Sequence, residues 1–202
     1  MSTSKSQPPF GRITWKPEDY LSYWTGSITI NSFSKCRVKW NEVGKELDDY
    51  QPTCEFEFLI YATHLDTGKF GENEIPPYPE QVKAFEYFVA NEKEITKLTL
   101  EKMASWFTEY HGCYWQDSGA SQQLIEHAGT FNGIQETIRV GSVYFNNKST
   151  DGYAYVGITF DCPWEIEHGV GILLHKNRIV DIGGNDMAYN YSMWTDEYTP
   201  ES

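Results

Sequence analysis

A short acidic run near the C-terminus carries the side chains best suited to chemistry. Residues 161–169 read Asp-Cys-Pro-Trp-Glu-Ile-Glu-His-Gly, and residues 183–186 read Gly-Gly-Asn-Asp. Carboxylates and imidazoles bind divalent metals and act in acid–base catalysis. If a metal binds here, its predicted ligands are Glu165, Glu167, His168 and Asp186.

Known catalytic patterns are missing from the chain. It contains no HExxH, no EF-hand spacing, no GxSxG elbow and no P-loop lysine. In an extended segment Glu165 and Glu167 share one side while His168 points away, which disfavours a metal site. Neighbouring carboxylates would raise the pKa of the Cys162 thiol and weaken it as a nucleophile. The sequence therefore predicts no catalytic residue and no cofactor.

The elements around this run are predicted to bring its two parts together. Lys176-Asn177 lies between two apolar runs and predicts a two-residue hairpin turn. The expected cross-strand pairs are His175–Arg178, Leu174–Ile179, Leu173–Val180, Ile172–Asp181 and Gly171–Ile182. This register puts Asp181 among aliphatic side chains, where a carboxylate needs a partner or exposure to water. Because a hairpin folds back on itself, residues 161–169 and 183–186 should be neighbours.

Three interpretations of this corner compete. In the first, Trp164 fills the core, the glycines permit tight packing and the carboxylates accept backbone hydrogen bonds. In the second, the corner is a docking surface for a protein. In the third, it is a metal or acid–base site. The predicted partner-binding residues are Asp161, Trp164, Glu165, Glu167, His168, Asp181 and Asp186.

Hydrophobic periodicity predicts an α+β fold. Residues 1–9 are expected to be a flexible N-terminus, followed by one α+β domain over 10–202. Alternation predicts N-terminal strands and a C-terminal four-strand meander, and helical spacing predicts two amphipathic helices between them. Residues 112–136 are left unassigned, with a subdomain boundary considered near 115–136. The predicted strands are 27–30, 36–40, 55–61, 137–145, 153–160, 169–175 and 178–182, with a turn at 146–152; the predicted helices are 79–90 and 92–110, the second ending at Gly112.

Composition limits the kind of partner. The chain has 202 residues, with 16 basic and 29 acidic side chains and a net charge of −13. Such a surface repels phosphate backbones, so nucleic-acid binding is not expected, whereas a basic protein would be attracted. The four cysteines form no CxxC pair, and no apolar stretch reaches the ~20 residues that cross a bilayer. We expect reduced thiols, no membrane association and a cytoplasmic protein.

Residues 155–175 and 178–186 resemble the C-terminal signature of an uncharacterised bacterial family. In that signature a strand ends in Asp-Cys-x-Trp, an acidic pair precedes Glu-His-Gly-x-Gly, and a hairpin closes with Gly and Asp. The opening Pro79-Glu-Gln-Val-Lys-Ala84 of the helical pair is also similar. Ile166 stands where the signature favours another acid, which weakens a carboxylate metal site.

The resemblance implies an architecture and a bacterial setting, because no activity is attached to the family. More loosely, the chain resembles immunity proteins that are paired with secreted polymorphic toxins. We therefore predict a non-enzymatic cytosolic protein that binds a partner with a basic surface, such as an immunity protein that neutralises a basic toxin domain. The alternatives are a metal-assisted hydrolase using Glu165, Glu167, His168 and Asp186, and a structural or regulatory domain.

Overall fold

A single eight-stranded sheet organises the chain in the computed structural model, which describes residues 4–17, 22–36, 54–62, 74–117 and 119–189. The strands neighbour one another in chain order. They are β1 (Ser4–Gln7), β2 (Gly11–Lys16), β3 (Ser22–Thr29), β4 (Glu55–Ala62), β5 (Arg139–Thr150), β6 (Tyr153–Asp161), β7 (Val170–His175) and β8 (Arg178–Gly183). The predicted α+β class, with strands before and after central helices, is confirmed.

One strand pair sets the topology. All neighbours are antiparallel except β4 and β5, which run parallel. Parallel neighbours need a long crossover, and here the crossover carries the helices. These are α1 (Pro79–Ala90), α2 (Glu92–Trp106), α3 (Gly112–Asp117), α4 (Gln122–Ala128) and α5 (Phe131–Thr137).

The helical segment departs from the periodicity after Trp106. Residues Phe107–His111 form a π-helical turn, called the π-turn below, and α3 follows directly. Gly112 therefore does not end the helix as predicted. The unassigned stretch 112–136 is largely helical, and its two later helices have side-chain caps: Ser121 accepts a hydrogen bond from Leu124 N (3.2 Å) and Thr130 from Gly133 N (3.0 Å).

Three local predictions need correction or lie outside the described residues. In place of the flexible N-terminus predicted over 1–9, Ser4–Gln7 form β1 and pair with β2. The turn predicted at 146–152 is shorter, because β5 continues to Thr150 and only Asp151 and Gly152 turn, both with positive φ. Most of the strand predicted at 36–40 falls on residues that the structure does not describe.

The core face of the sheet is covered by α1 and lined with aromatic rings. Phe85 of α1 packs against Phe145 and Phe58, with ring centroids 5.3 and 5.4 Å apart. Gln81 is buried at the same junction, and its Nε2 contacts the carbonyls of Tyr61 (2.7 Å) and Phe145 (3.1 Å). A buried amide thus ties α1 to the two parallel strands at the point where their pairing stops.

A β-bulge in β8 corrects the predicted hairpin register. The pairs His175–Arg178 and Leu174–Ile179 are as predicted, but the next pairs are Leu173–Asp181, Ile172–Ile182 and Gly171–Gly183. The extra residue, Val180, allows Ile179 and Ile182 both to pack against the core. Asp181 therefore does not lie on the aliphatic side, and its Oδ1 accepts a hydrogen bond from Ile182 N at 2.8 Å. The bulge removes the buried carboxylate that simple alternation required.

Among the described residues, no helix combines the length and the apolar character that a membrane crossing requires.

Candidate functional site

Residues 161–169 and the residues that follow the hairpin lie next to each other, as the hairpin geometry predicted. The loop 161–169, called the acidic loop, follows β6, and a 3-10 turn (Asn185–Ala188) follows β8. Asn185 N donates to His168 O at 3.1 Å. Gly169 has a φ of +58°, and a Cβ there would lie 2.6 Å from Phe160 O. Only glycine fits this position without strain.

Two further glycines, Gly157 and Gly171, let the 3-10 turn lie directly on the sheet; we call them the glycine cradle. A Cβ at Gly157 would lie 1.8 Å from Ala188 O, and one at Gly171 would lie 2.5 Å from Gly184 O. The buried Asn146 side chain donates to Ala188 O at 3.2 Å and holds the turn in place. The glycines of the signature therefore serve backbone-to-backbone packing, as the first interpretation proposed.

The predicted site carboxylates point to different partners. Asp161 pairs with Arg139, whose Nε lies 2.7 Å from Asp161 Oδ2. Glu167 and Asp186 are exposed, and Glu165 Oε1 lies 3.0 Å from His168 Nδ1. Nowhere in the described ranges do three or more His, Cys, Asp or Glu side chains form a group that could hold a metal ion. Glu165, Glu167, His168 and Asp186 are therefore not gathered into one group of ligands among the described residues.

Trp164 connects the acidic loop to the π-turn. Its ring lies 4.5 Å from that of Phe107 and 5.8 Å from that of Trp115. The side chain is half-buried and packs against the core. Trp164 therefore holds the acidic loop against the helical layer, so that any surface formed by the two segments has a rigid base.

Three ring-bearing side chains, one from the end of α2 and two from the π-turn, lie next to one another. Trp106 contacts the His111 ring at 4.1 Å and the Tyr110 ring at 6.4 Å, and we call these three residues the aromatic cluster. The extra residue in a π-turn lets residues four and five positions after Trp106 both lie next to it. Tyr110 is 51% exposed, so the cluster reaches solvent. Single π-turns within helices are frequent at functional sites.

Burial and neighbouring carboxylates shift the pKa values of two groups in the aromatic cluster. Burial lowers the pKa of His111, and the nearby Glu165 carboxylate acts in the opposite direction. The Glu165 carboxylate thus pairs with His168, and its charge also acts on His111. A hydrogen bond with Glu109, followed by the Glu109 charge, raises the pKa of Tyr110. The surface combines the exposed Tyr110 ring with carboxylates and a histidine that is neutral at pH 7.

Cys162 lies beneath this surface and stays a thiol. It is 2% exposed, and burial raises its pKa well above the ordinary value. The charges of Glu165 and Asp161 also raise the pKa of Cys162, but burial is the larger cause. The predicted direction agrees, while the predicted cause is secondary. A buried thiol of this kind is not a nucleophile.

The comparison with known proteins identifies a family. A family model described as a domain of unknown function, DUF6985, matches residues 10–189. The chain belongs to this family. The match includes the acidic loop, the glycine cradle and the π-turn, so these features lie within the DUF6985 domain. No curated protein and no solved structure matches the chain.

Within this DUF6985 domain, sequence reasoning missed the aromatic cluster and Arg139. Four of the six residues 106–111 are aromatic or histidine (Trp-Phe-Thr-Glu-Tyr-His), which was the available signal. Helical periodicity assigned these residues to an ordinary helix end. The π-turn and the long-range contacts to the acidic loop are what make them a surface.

Proposed function

We propose that this chain is a non-enzymatic binding protein whose partner presents a basic surface. The observation that supports this proposal is an uneven distribution of charge along the chain. In α1 and α2, glutamates are interspersed with lysines. From the π-turn to the start of β5, together with the acidic loop, Arg139 is the single Lys or Arg, and it is paired with Asp161. The acidic residues of this region, called the acidic end, are Glu109, Asp117, Glu126, Glu136, Asp161, Glu165 and Glu167.

Contacts between elements bring the acidic end together. Trp115 of α3 packs on Trp164 of the acidic loop. A Cβ at Gly112 would lie 3.3 Å from Ile125 of α4, and His127 Nε2 lies 3.0 Å from Glu136 Oε2 of α5. The short helices and the loop therefore form one continuous region. A concentrated field of one sign accelerates the encounter with an oppositely charged partner.

The acidic end also exposes apolar side chains, which can be buried in an interface with a partner. Tyr110 is 51% exposed and Ile166 is 38% exposed. Trp106 is half-buried and lies beside Tyr110. Protein interfaces are enriched in aromatic residues at their centres and have polar rims. The combination favours a specific protein partner over simple solubility.

In its finer form, the proposal is that the chain is a bacterial cytosolic immunity protein that neutralises a basic toxin domain. The support is the looser resemblance to immunity proteins together with the acidic end. Such a protein needs no chemistry of its own, because covering the toxin's basic active surface is sufficient. Fast, electrostatically steered association would then protect the cell that makes both proteins.

The test uses the product of a neighbouring toxin-like gene as the partner. Stopped-flow mixing should show an association rate that falls about tenfold between about 50 mM and about 500 mM salt. Glu167→Lys at the acidic end should slow association, whereas Glu86→Lys, the same change at an exposed position of α1, should slow it much less. A rate independent of salt, or equal slowing by both variants, would contradict docking at the acidic end.

A further inference from the structure

Strand β8 lies at one edge of the sheet and leaves a groove beside it. Among the residues that the structure describes, its only strand neighbour is β7. Residues 179–183 are half-buried, whereas every residue of β7 is buried. The groove has a volume of about 600 Å³, and Leu98, Glu101 and Lys102 of α2 line it together with residues 177–182. An edge strand with open space beside it can accept a further strand through its backbone hydrogen bonds.

The bulge in β8 places two opposite charges on the same face of the sheet. Arg178 is paired with His175 of β7. Asp181 is paired with Leu173, two positions earlier in the same strand. Side chains two positions apart in a strand point to the same face, so Arg178 and Asp181 share a face although they are three positions apart. Without the extra residue Val180 they would point to opposite faces.

An antiparallel copy of β8 has the charges that complement this pattern. When residue 178 of one strand is opposite residue 181 of the other, Arg178 of each copy lies beside Asp181 of the other copy. On the other face, Ile179 and Ile182 pack against the core and border the groove. We infer that a second copy of the chain binds at this edge, adding its own β8 antiparallel to the first and forming a two-fold symmetric dimer.

The local charge balance favours a second copy over a basic partner at this edge. The chain has a net charge of −13, so two copies repel each other overall. The charged side chains that line the groove are two acidic and two basic ones, whose charges cancel: Glu101, Asp181, Lys102 and Arg178. Two copies can therefore meet here without net repulsion, whereas a basic partner gains no attraction. Pairing of two copies does not depend on the proposed function.

The same charges make the edge selective. A strand that puts an apolar or like-charged residue beside Arg178 and Asp181 would desolvate or repel these charges without giving them a partner. Charged residues on edge strands are a common protection against indiscriminate pairing. Asp181 Oδ1 also accepts the hydrogen bond from Ile182 N, so one backbone donor of β8 is already bound. The pairing is therefore short, and the dimer should dissociate on dilution.

Sedimentation equilibrium of the full chain over a wide range of concentrations tests for the dimer. The average mass should rise from that of one chain towards that of two as the concentration increases. Amide hydrogen exchange of residues 178–182 should slow over the same range. A monomer at every concentration, or a dimer whose protected amides lie elsewhere, would overturn the inference, and so would a different protein that binds at this edge while the chain itself stays monomeric.

Charge reversal locates the contact. Arg178→Asp puts like charges at both symmetric positions of the pairing and should raise the dimer dissociation constant at least about tenfold. Lys83→Glu, at an exposed position of α1, lowers the net charge by the same amount and should change the constant much less. Equal losses from the two variants would show general repulsion between copies and refute pairing through β8.

A mixture of two variants gives the most specific result. Asp181→Arg alone should also prevent self-association, because it too sets like charges opposite each other. Mixed with Arg178→Asp, it should form a heterodimer, since all four charges at the contact are then complementary. Thermal unfolding checks that each variant is folded, and two folded variants that stay monomeric when mixed would contradict the proposed pairing. If Asp181→Arg unfolds because its hydrogen bond to Ile182 is lost, the comparison of Arg178→Asp with Lys83→Glu decides alone.

Discussion

The glycine cradle and the aromatic cluster lie on either side of the same acidic loop, yet they are built on opposite principles. The cradle works because Gly157 and Gly171 have no side chain, so that the 3-10 turn can approach the sheet backbone. The aromatic cluster, in contrast, depends on its side chains, the rings of Trp106, Tyr110 and His111. Two regions that are far apart in sequence thus serve different purposes, one as packing and one as surface. Substitutions in the first should lower the free energy of unfolding, and those in the second should change binding.

The strongest test of the packing half is Gly157→Ala. The added methyl would lie 1.8 Å from Ala188 O, so either the 3-10 turn or strand β6 must move. We expect a loss of about 3 kcal/mol in the free energy of unfolding, the upper range for overpacking a core. Urea denaturation measures it. Gly184→Ala is the matched control, because its φ is −62° and its nearest neighbour is the end of the flexible Asp186 side chain. Equal stability of the two variants would refute the cradle.

Trp164→Ala tests the support that joins the two halves. The half-buried ring packs on Phe107 and Trp115, and its removal should cost about 2 kcal/mol, less than for a fully buried tryptophan. Thermal or urea unfolding gives the value. Ile166→Ala, two residues away and 38% exposed, should cost less than about 0.5 kcal/mol. If Ile166→Ala proved as damaging as Trp164→Ala, the loop would be anchored by other contacts.

Asp161→Asn tests whether the Asp161 carboxylate contributes to stability or to partner binding. Its partner Arg139 is partly buried, and the pair should contribute about 1 kcal/mol or less. A double-mutant cycle with Arg139→Gln isolates the coupling free energy. Because Asp161 is already paired, Asp161→Asn should also slow association with a basic partner less than Glu167→Lys does. A larger effect on association than on stability would assign Asp161 to the binding surface instead.

The smallest expected effect is the pH dependence that comes from His111. Its pKa in the folded protein lies below the unfolded value of 6.5, so the unfolded state binds the proton more readily. Stability from this group is therefore complete above about pH 6.5 and declines as the pH falls below that value. His111→Asn should flatten the dependence between about pH 7 and about pH 5. An NMR titration of the imidazole that gave a pKa above 6.5 would contradict the burial argument.

Local patterns in the sequence were enough for much of the fold. The bounds of α1 and the start of α2 follow from helical spacing after Pro79, and the turn at Lys176-Asn177 follows from its position between two apolar runs. The meeting of the acidic loop with residues 183–186 follows from hairpin geometry alone. These features depend on neighbours that lie close along the chain, which is the information that periodicity carries.

Other features depend on an inserted residue that no periodicity reveals. Val180 in the β8 bulge and the extra residue of the π-turn each change which side chains share a face. The bulge forms because it brings both Ile179 and Ile182 to the core, an advantage that exists only once β7 and α2 are in place. The predicted environment of Asp181 was wrong for this reason.

The sequence by itself determined the fold class, the acidic charge and the corner where the loop and the hairpin end meet. Only the tertiary structure decided what that corner is made of. It paired Asp161 with Arg139, placed Trp164 against Phe107, and brought His111 within the electrostatic influence of the Glu165 carboxylate. Those partners lie 22 to 57 positions away along the chain, and a contact across such a separation is set by the packing of whole elements.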